Sequence, residues 1–341
     1  MPQRLAQINE WLQTQLSLTN YDIQPASSDA SFRRYFRITS SAGLFAPYGA
    51  QSLIVMDAPP FQEDTRPYIH IAKLMAHVGL NVPLVLEENT EQGFLLLTDL
   101  GSTQYLSVLN EDNVNELYKD ALDALLKLQT NGPSESDGIP PYDHALLQRE
   151  LEIFREWYLQ KHLGLRLSKE QDNIINDAFS LLIDTALEQP VVCVHRDYHS
   201  RNLMQTEKNN PGVLDFQDAV IGPITYDVVS LLKDCYISWP REQVESWALQ
   251  YKANLEGAGV IEGIDNQQFL RWFDFMGAQR HLKATGIFAR LDQRDGKPDY
   301  LNDIPRTLSY VIDVTGRYKE LHPLNQFLVT IMPSLATQTA T

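Results

Sequence analysis

Cysteine is scarce in this chain of 341 residues, with only Cys193 and Cys235. Two cysteines build no disulfide framework. Cys193 lies in an apolar run, where a small buried thiol is expected. A reducing, cytoplasmic setting follows. Long apolar runs are also missing, so no membrane-spanning helix is expected. The opening residues, Met1-Pro2-Gln3-Arg4-Leu5-Ala6-Gln7, are too polar for a signal peptide. Cations are few: 28 Lys and Arg face 44 Asp and Glu, for a net charge of −16. Such a chain is poorly suited to nucleic acid or an anionic membrane surface. A polyanionic small molecule would have to be met by locally placed cations or by metal. Internal repeats and low-complexity blocks are absent too.

What remains is ordinary globular composition, 43% hydrophobic and 21% charged, enough for one large domain or two lobes. Leu5, Ile8, Leu12 and Leu16 fall at helical spacing. Strand-like runs Phe32 to Thr39 and Ser52 to Asp57 flank a Gly/Pro-containing loop and read as a hairpin. A helix over Arg66 to Val78 and two more strand-like runs, Val82 to Glu87 and Gly93 to Thr98, complete a β-rich first part. After Asp99-Leu100-Gly101 the pattern turns helical. Val114, Leu117, Ala121, Leu125 and Leu128 mark one helix, Tyr142 to His162 a second, and Lys169 to Glu188 a third with Ser168 and Gln171 as a capping box. Most of the chain after Tyr226 is helical. The small polar tail, Ala336 to Thr341, is expected to fray.

The most informative stretch interrupts those helices. The apolar run Val191 to Val194 ends in His195-Arg196-Asp197-Tyr198-His199-Ser200-Arg201-Asn202, and a second apolar run, Gly212 to Leu214, ends in Asp215-Phe216. A base on a loop, an Asn five residues later and an Asp at the end of the next hairpin is how protein-kinase-like folds arrange phosphoryl transfer. Asp197 would orient an acceptor hydroxyl and take its proton. Asn202 and Asp215 would supply oxygen ligands to Mg²⁺. His195 is expected to hold backbone around the site. The expected fold is therefore α+β, protein-kinase-like and bilobal, with an N-lobe over residues 1–98 and a helical C-lobe over residues 99–341.

The segments Asp197-Tyr198-His199-Ser200-Arg201-Asn202-Leu203-Met204, Val213-Leu214-Asp215-Phe216-Gln217-Asp218 and Gly222-Pro223 with Tyr226-Asp227 resemble the aminoglycoside phosphotransferase and choline kinase family. Three more, Ser27 to Arg37, Val55 to Pro60 and Phe94 to Gly101, resemble one branch of it, as does Gln279-Arg280-His281-Leu282-Lys283. This branch comprises the anomeric amino-sugar kinases of peptidoglycan recycling. The resemblance implies ATP and Mg²⁺ as cofactors and transfer to the anomeric hydroxyl of N-acetylmuramate and N-acetylglucosamine. It also implies a cytoplasmic monomer, with a sugar-1-phosphate nucleotidyltransferase as pathway partner. The backbone of Thr98 and Leu100 would hold adenine, and Ser27 to Arg34 would replace the Gly-rich phosphate loop. That segment has no glycine, so Ser28, Ser31 and Arg33 or Arg34 are expected to contact phosphate.

One departure is plain. The strand after that segment carries no Lys, and Met56 stands near the expected place. Asp227 has two readings, a brace for the catalytic loop or a helix N-cap. Gln217 and Asp218 are expected to wall the sugar site. Arg280, His281 and Lys283 form a cationic group in an acidic chain, either a solvated helix face or a reader of the acceptor's carboxylate. Trp239, Trp247 and Trp272 read as core rather than as sugar platforms. Two alternatives stay open: a kinase for another alcohol, such as an aminoglycoside or choline-like acceptor, and a nucleotide-binding pseudokinase, which the missing Lys would suit.

Overall fold

A computed structural model of the protein describes residues 2–28 and 32–331. Ser31 and the tail segment Ala336 to Thr341 lie outside the described residues. The strands, in chain order, are β1 Tyr21–Ser28, β2 Arg34–Ser40, β3 Ser52–Asp57, β4 Val85–Asn89, β5 Phe94–Thr98, β6 Val191–Val194, β7 Leu203–Met204, β8 Gly212–Val213 and β9 Val220–Pro223. The α-helices are α1 Pro2–Glu10, α2 Thr65–His77, α3 Tyr105–Val108, α4 Val114–Asn131, α5 His144–Ile153, α6 Lys169–Leu187, α7 Tyr226–Leu232, α8 Arg241–Gly257, α9 Asn266–Asp295, α10 Ile304–Arg317 and α11 His322–Ile331. Two compact units result, residues 1–113 with 202–217, and residues 114–201 with 218–341.

The first unit is built on a five-stranded antiparallel sheet in the order β1-β2-β3-β5-β4. Alternation along β3 and β5 sends Leu53, Val55, Phe94 and Leu96 to one face. There they pack with Ile8, Trp11 and Leu12 into one core. Leu5 to Leu16 is not one uniform helix, because α1 gives way to a π-helical turn at Trp11–Gln15. The expected hairpin is present, with Phe36 opposite Val55 in β2 and β3. The edge strand β1 adds to it and carries a bulge between Pro25 and Ser27. Residues 202–217 join this unit through backbone. The Val213 N–H donates to the Asn81 carbonyl at 2.7 Å and the Gln205 N–H to the Thr103 carbonyl at 2.8 Å. Phe216 packs against Tyr68 with ring centroids 5.1 Å apart.

The second unit is helical around α9, whose 30 residues include a long buried stretch from Phe269 to Leu291. It packs on α5, α6, α7, α8, α10 and the π-helical segment Phe154–His162 that continues α5. The Ser168 cap forms as expected: the Gln171 N–H donates to Ser168 Oγ at 3.2 Å, and the Ser168 N–H donates to the Gln171 side chain at 2.9 Å. The strand β6 pairs not with the run before Asp215 but with β9, antiparallel, Cys193 opposite Ile221. In the first unit, β7 pairs with β8. Gly286 marks a close helix crossing, since a Cβ there would fall 2.5 Å from the Ile153 carbonyl carbon. Gly286→Ala should therefore lower unfolding stability by roughly 1–3 kcal/mol, as overpacking against backbone does. Chemical denaturation would show this as a lower midpoint.

Candidate active site

The candidate catalytic loop follows β6 within the second unit, and two buried carboxylates brace it. Asp227, in the first turn of α7, accepts the backbone N–H groups of His195 at 2.6 Å and Arg196 at 3.0 Å. Thr225 is the N-cap of α7, so Asp227 is a loop brace and not a cap. Burial drives its pKa up to about 7, against the pull of the two donated N–H groups. Asp234 accepts the Ser200 N–H at 2.9 Å and its hydroxyl at 2.5 Å. Tyr198 donates to the Ala121 carbonyl at 2.7 Å, and the Asp197 N–H donates to His195 Nδ1 at 3.2 Å. These bonds fix the backbone on both sides of Asp197. Arg196 stands at φ +77°, in the left-handed region that few non-glycine residues adopt.

Glu150 on α5 organises the charge behind this loop. Its carboxylate pairs with Arg196 at 2.5 Å and with Lys283 at 2.9 Å, and it accepts from the Tyr142 hydroxyl and from Gln279 Nε2 at 3.3 Å. Desolvation alone would raise its pKa, but Lys283 and Arg196 outweigh it and leave the carboxyl below its usual range. Lys283 also donates to the Tyr226 hydroxyl at 3.0 Å. Burial works to raise the pKa of Asp197 as well. The positive charge of Lys283, followed by weaker contributions including Arg196 and Arg280, more than offsets it and holds the carboxylate low.

Arg280, His281 and Lys283 on α9 are thus buried, not a solvated face. Arg280 donates to Cys235 Sγ at 3.6 Å. His281 is fully buried, stacked on Tyr310 at 4.7 Å, with Nε2 2.7 Å from the Lys233 carbonyl. Burial lowers its pKa to about 3, so the ring is neutral and packs the core. The tryptophans also serve packing. Trp239 and Trp247 set edges against Tyr118, and the Trp272 indole donates to Glu188 at 2.6 Å.

In the first unit, Asn202 and Asp215 meet. The Asn202 side-chain amide lies 3.4 Å from Asp215 Oδ2, and the Leu214 N–H donates to the Asn202 carbonyl at 2.9 Å. The Asn202 Nδ2 that donates across this gap is no metal ligand, but the oxygen of the same amide and the Asp215 carboxylate are the hard oxygen donors that Mg²⁺ prefers. Among the described residues, no cluster of three or more His, Cys, Asp or Glu forms a metal cage. A two-residue set suits a cation that is completed by phosphate and water. Asp215 takes φ +62°, and Gln217 Nε2 donates to its Oδ1 at 2.7 Å. Asp218, in the second unit, offers its backbone carbonyl to Arg196 at 3.3 Å.

The two adjacent arginines part company. Arg34 reaches across the β2–β3 pair to the buried Asp57, which also binds Arg4. Arg33 places its guanidinium 3.9 Å from Asp215. Ser28 lies at the end of β1, opposite Arg34. In the connector, Arg37 grips Asp99 with two bonds of 2.6 and 2.9 Å and also donates to the Gly101 carbonyl. The Thr98 N–H donates to the Leu84 carbonyl at 3.0 Å. A close approach in the same unit fixes Gly212, where a Cβ would lie 3.0 Å from Leu100 Cδ1.

Residues 22–272 match the phosphotransferase enzyme family, and the chain belongs to it. It is 47% identical over 338 residues to an N-acetylmuramate/N-acetylglucosamine kinase of Pseudomonas putida, covering 96% of each chain. A Neisseria meningitidis protein of the same name is 43% identical over 336 residues, with 97% of this chain and 96% of that one covered. The fold is similar to the GDP complex of aminoglycoside 2'-phosphotransferase-IIIa, at TM-score 0.61 and 14% identity over 89% of this chain and 98% of that one. It is also similar to choline kinase from Cryptosporidium parvum, at TM-score 0.62 and 11% identity over 95% and 99%. This chain is therefore a phosphotransferase of the protein-kinase-like fold, and its curated relatives are amino-sugar kinases.

Proposed function

We propose that the protein transfers the γ-phosphoryl group of ATP to the anomeric hydroxyl of N-acetylmuramate and N-acetylglucosamine. The observation that carries this reading is near full-length identity of 43–47% to kinases named for those sugars. Asp197 accepts the proton of the acceptor hydroxyl as its oxygen bonds to phosphorus. The anomeric hydroxyl is more acidic than an ordinary alcohol, so a carboxylate of low basicity suffices. Lys283 and Arg280 keep Asp197 ionised, and Glu150 holds Lys283 and Arg196 in place. Asn202 and Asp215 would hold Mg²⁺, which when bound neutralises charge on the transferring group. Arg33 stands in for the missing strand Lys at the phosphates. The adenine edge takes the Thr98 carbonyl and the Leu100 backbone, since the Thr98 N–H already donates to Leu84. Ser28 and Ser31 belong to the phosphate segment, and Gln217 positions Asp215.

On this reading nucleotide binding belongs to residues 1–98, and the catalytic loop, metal ligands and sugar site belong to residues 99–341. A cytoplasmic place in peptidoglycan recycling follows, upstream of a sugar-1-phosphate nucleotidyltransferase. No helix among the described residues is long and apolar enough to cross a membrane. Assay of amino sugars, aminoglycosides and choline side by side tests the reading. Turnover confined to the amino sugars supports it. Turnover of another alcohol instead, or none with any acceptor, replaces it with one of the alternatives.

The charge on Lys283 gives a pH prediction. Asp197 acts ionised, its pKa is depressed, and activity is lost as pH falls through that pKa. Removing the largest favourable charge raises it. The acid limb of the kcat profile should therefore move to higher pH in Lys283→Met. A limb at the wild-type position would show that Lys283 does not act on the base.

A further inference from the structure

The sequence left Arg280, His281 and Lys283 either as a solvated face or as readers of the acceptor's carboxylate, but all three are buried and engaged with protein groups. A different cation stands on the catalytic loop. Arg201, four residues after Asp197, lays its guanidinium 3.6 Å from the ring centre of Tyr236 and 5.7 Å from that of Tyr300. Its side chain is 37% exposed. The carboxylate nearest to it is Asp303, at 4.0 Å, and that group is held by Arg306 at 3.0 Å. The aromatic surface continues inward, with the His199 ring edge-on to Tyr236 at 5.4 Å.

A partly exposed guanidinium placed over the Tyr236 ring is a positioned cation for a carboxylate. Its planar fork of N–H donors can give two parallel hydrogen bonds to one carboxylate. We propose that Arg201, backed by Tyr236 and Tyr300, reads the carboxylate of an acidic acceptor sugar and sets the preference for N-acetylmuramate. This rests on the amino-sugar kinase reading above. It assigns selectivity to the catalytic loop and leaves Lys283 and Arg280 to the base.

The test compares kcat/KM for N-acetylmuramate and for its lactyl methyl ester, in the wild type and in Arg201→Gln. A charge-assisted contact predicts that the wild type prefers the acid about ten- to a hundredfold. Arg201→Gln should cut that preference to about threefold or less. Arg201 precedes Asn202, so the variant could weaken turnover generally. Both substrates meet the same variant, however, and such a loss cancels in the ratio. Arg201→Lys keeps the charge without the planar fork and should fall between. Lys283→Met should lower turnover of acid and ester together. A ratio in Arg201→Gln equal to that of the wild type overturns the assignment. So does a wild type indifferent to the ester, a result that needs no folded variant. An enzyme that phosphorylates both sugars with an unmoved ratio removes Arg201 alone. One that phosphorylates neither removes the proposed function and this inference with it.

Discussion

Asp197→Asn should keep its fold and its affinity for nucleotide while kcat falls by on the order of 10² to 10⁴, the size of a general-base contribution. The loop around it explains why the fold should survive. Its backbone is held by Asp227 and Asp234, through N–H groups of His195, Arg196 and Ser200. The amide is nearly isosteric with the acid and cannot accept the proton. Circular dichroism and nucleotide titration would establish the intact fold, and initial rates would give kcat. A kcat near that of the wild type in such a folded variant would remove Asp197 from the chemistry.

The second large effect is expected at Asp215. Asp215→Ala should abolish the Mg²⁺-dependent part of nucleotide binding and lower kcat by on the order of 10² to 10³, several kcal/mol of lost charge stabilisation. Asp215 occupies the left-handed region at φ +62°, which alanine adopts at a cost of about 1–2 kcal/mol. Asp215→Asn separates the two causes, because asparagine tolerates that backbone and lacks the charge. Both variants should lose Mg²⁺ dependence in calorimetry. Asn202→Ala should be milder, since it removes a neutral ligand. Unchanged Mg²⁺·ATP binding in Asp215→Asn would overturn the metal assignment.

Much of this was legible before the fold was seen, for physical reasons. The loop chemistry requires Asp, Asn and Asp at narrow spacing, and the hairpin and capped helices follow from period and cap residues. What escaped reading was burial that contradicts side-chain type. Tyr21 to Ser28 carries Pro25 and polar residues, so it lacks a strand's apolar alternation, yet an edge strand tolerates both. Glu150 was not singled out within the helical run Tyr142 to His162. A signal was present, because it falls on one stripe with Leu147, Leu151 and Phe154, all buried. A carboxylate on an apolar stripe asks for cationic partners, and Arg196 and Lys283 are those partners. The same logic hid the burial of Arg280 and His281. Their helix is packed on nearly every side, which no amphipathic pattern announces. Nor does local sequence tell Arg33 from Arg34. Strand register does, by setting Arg34 opposite Asp57.

The position of the transferred phosphate tests the central claim most directly. The protein should be incubated with Mg²⁺, ATP and N-acetylmuramate or N-acetylglucosamine, and the product examined by phosphorus NMR with coupling to the sugar protons. Coupling to the anomeric proton, together with no turnover of the 1-O-methyl glycoside, is the predicted result. Phosphate on O6, with the 1-O-methyl sugar still accepted, would contradict it.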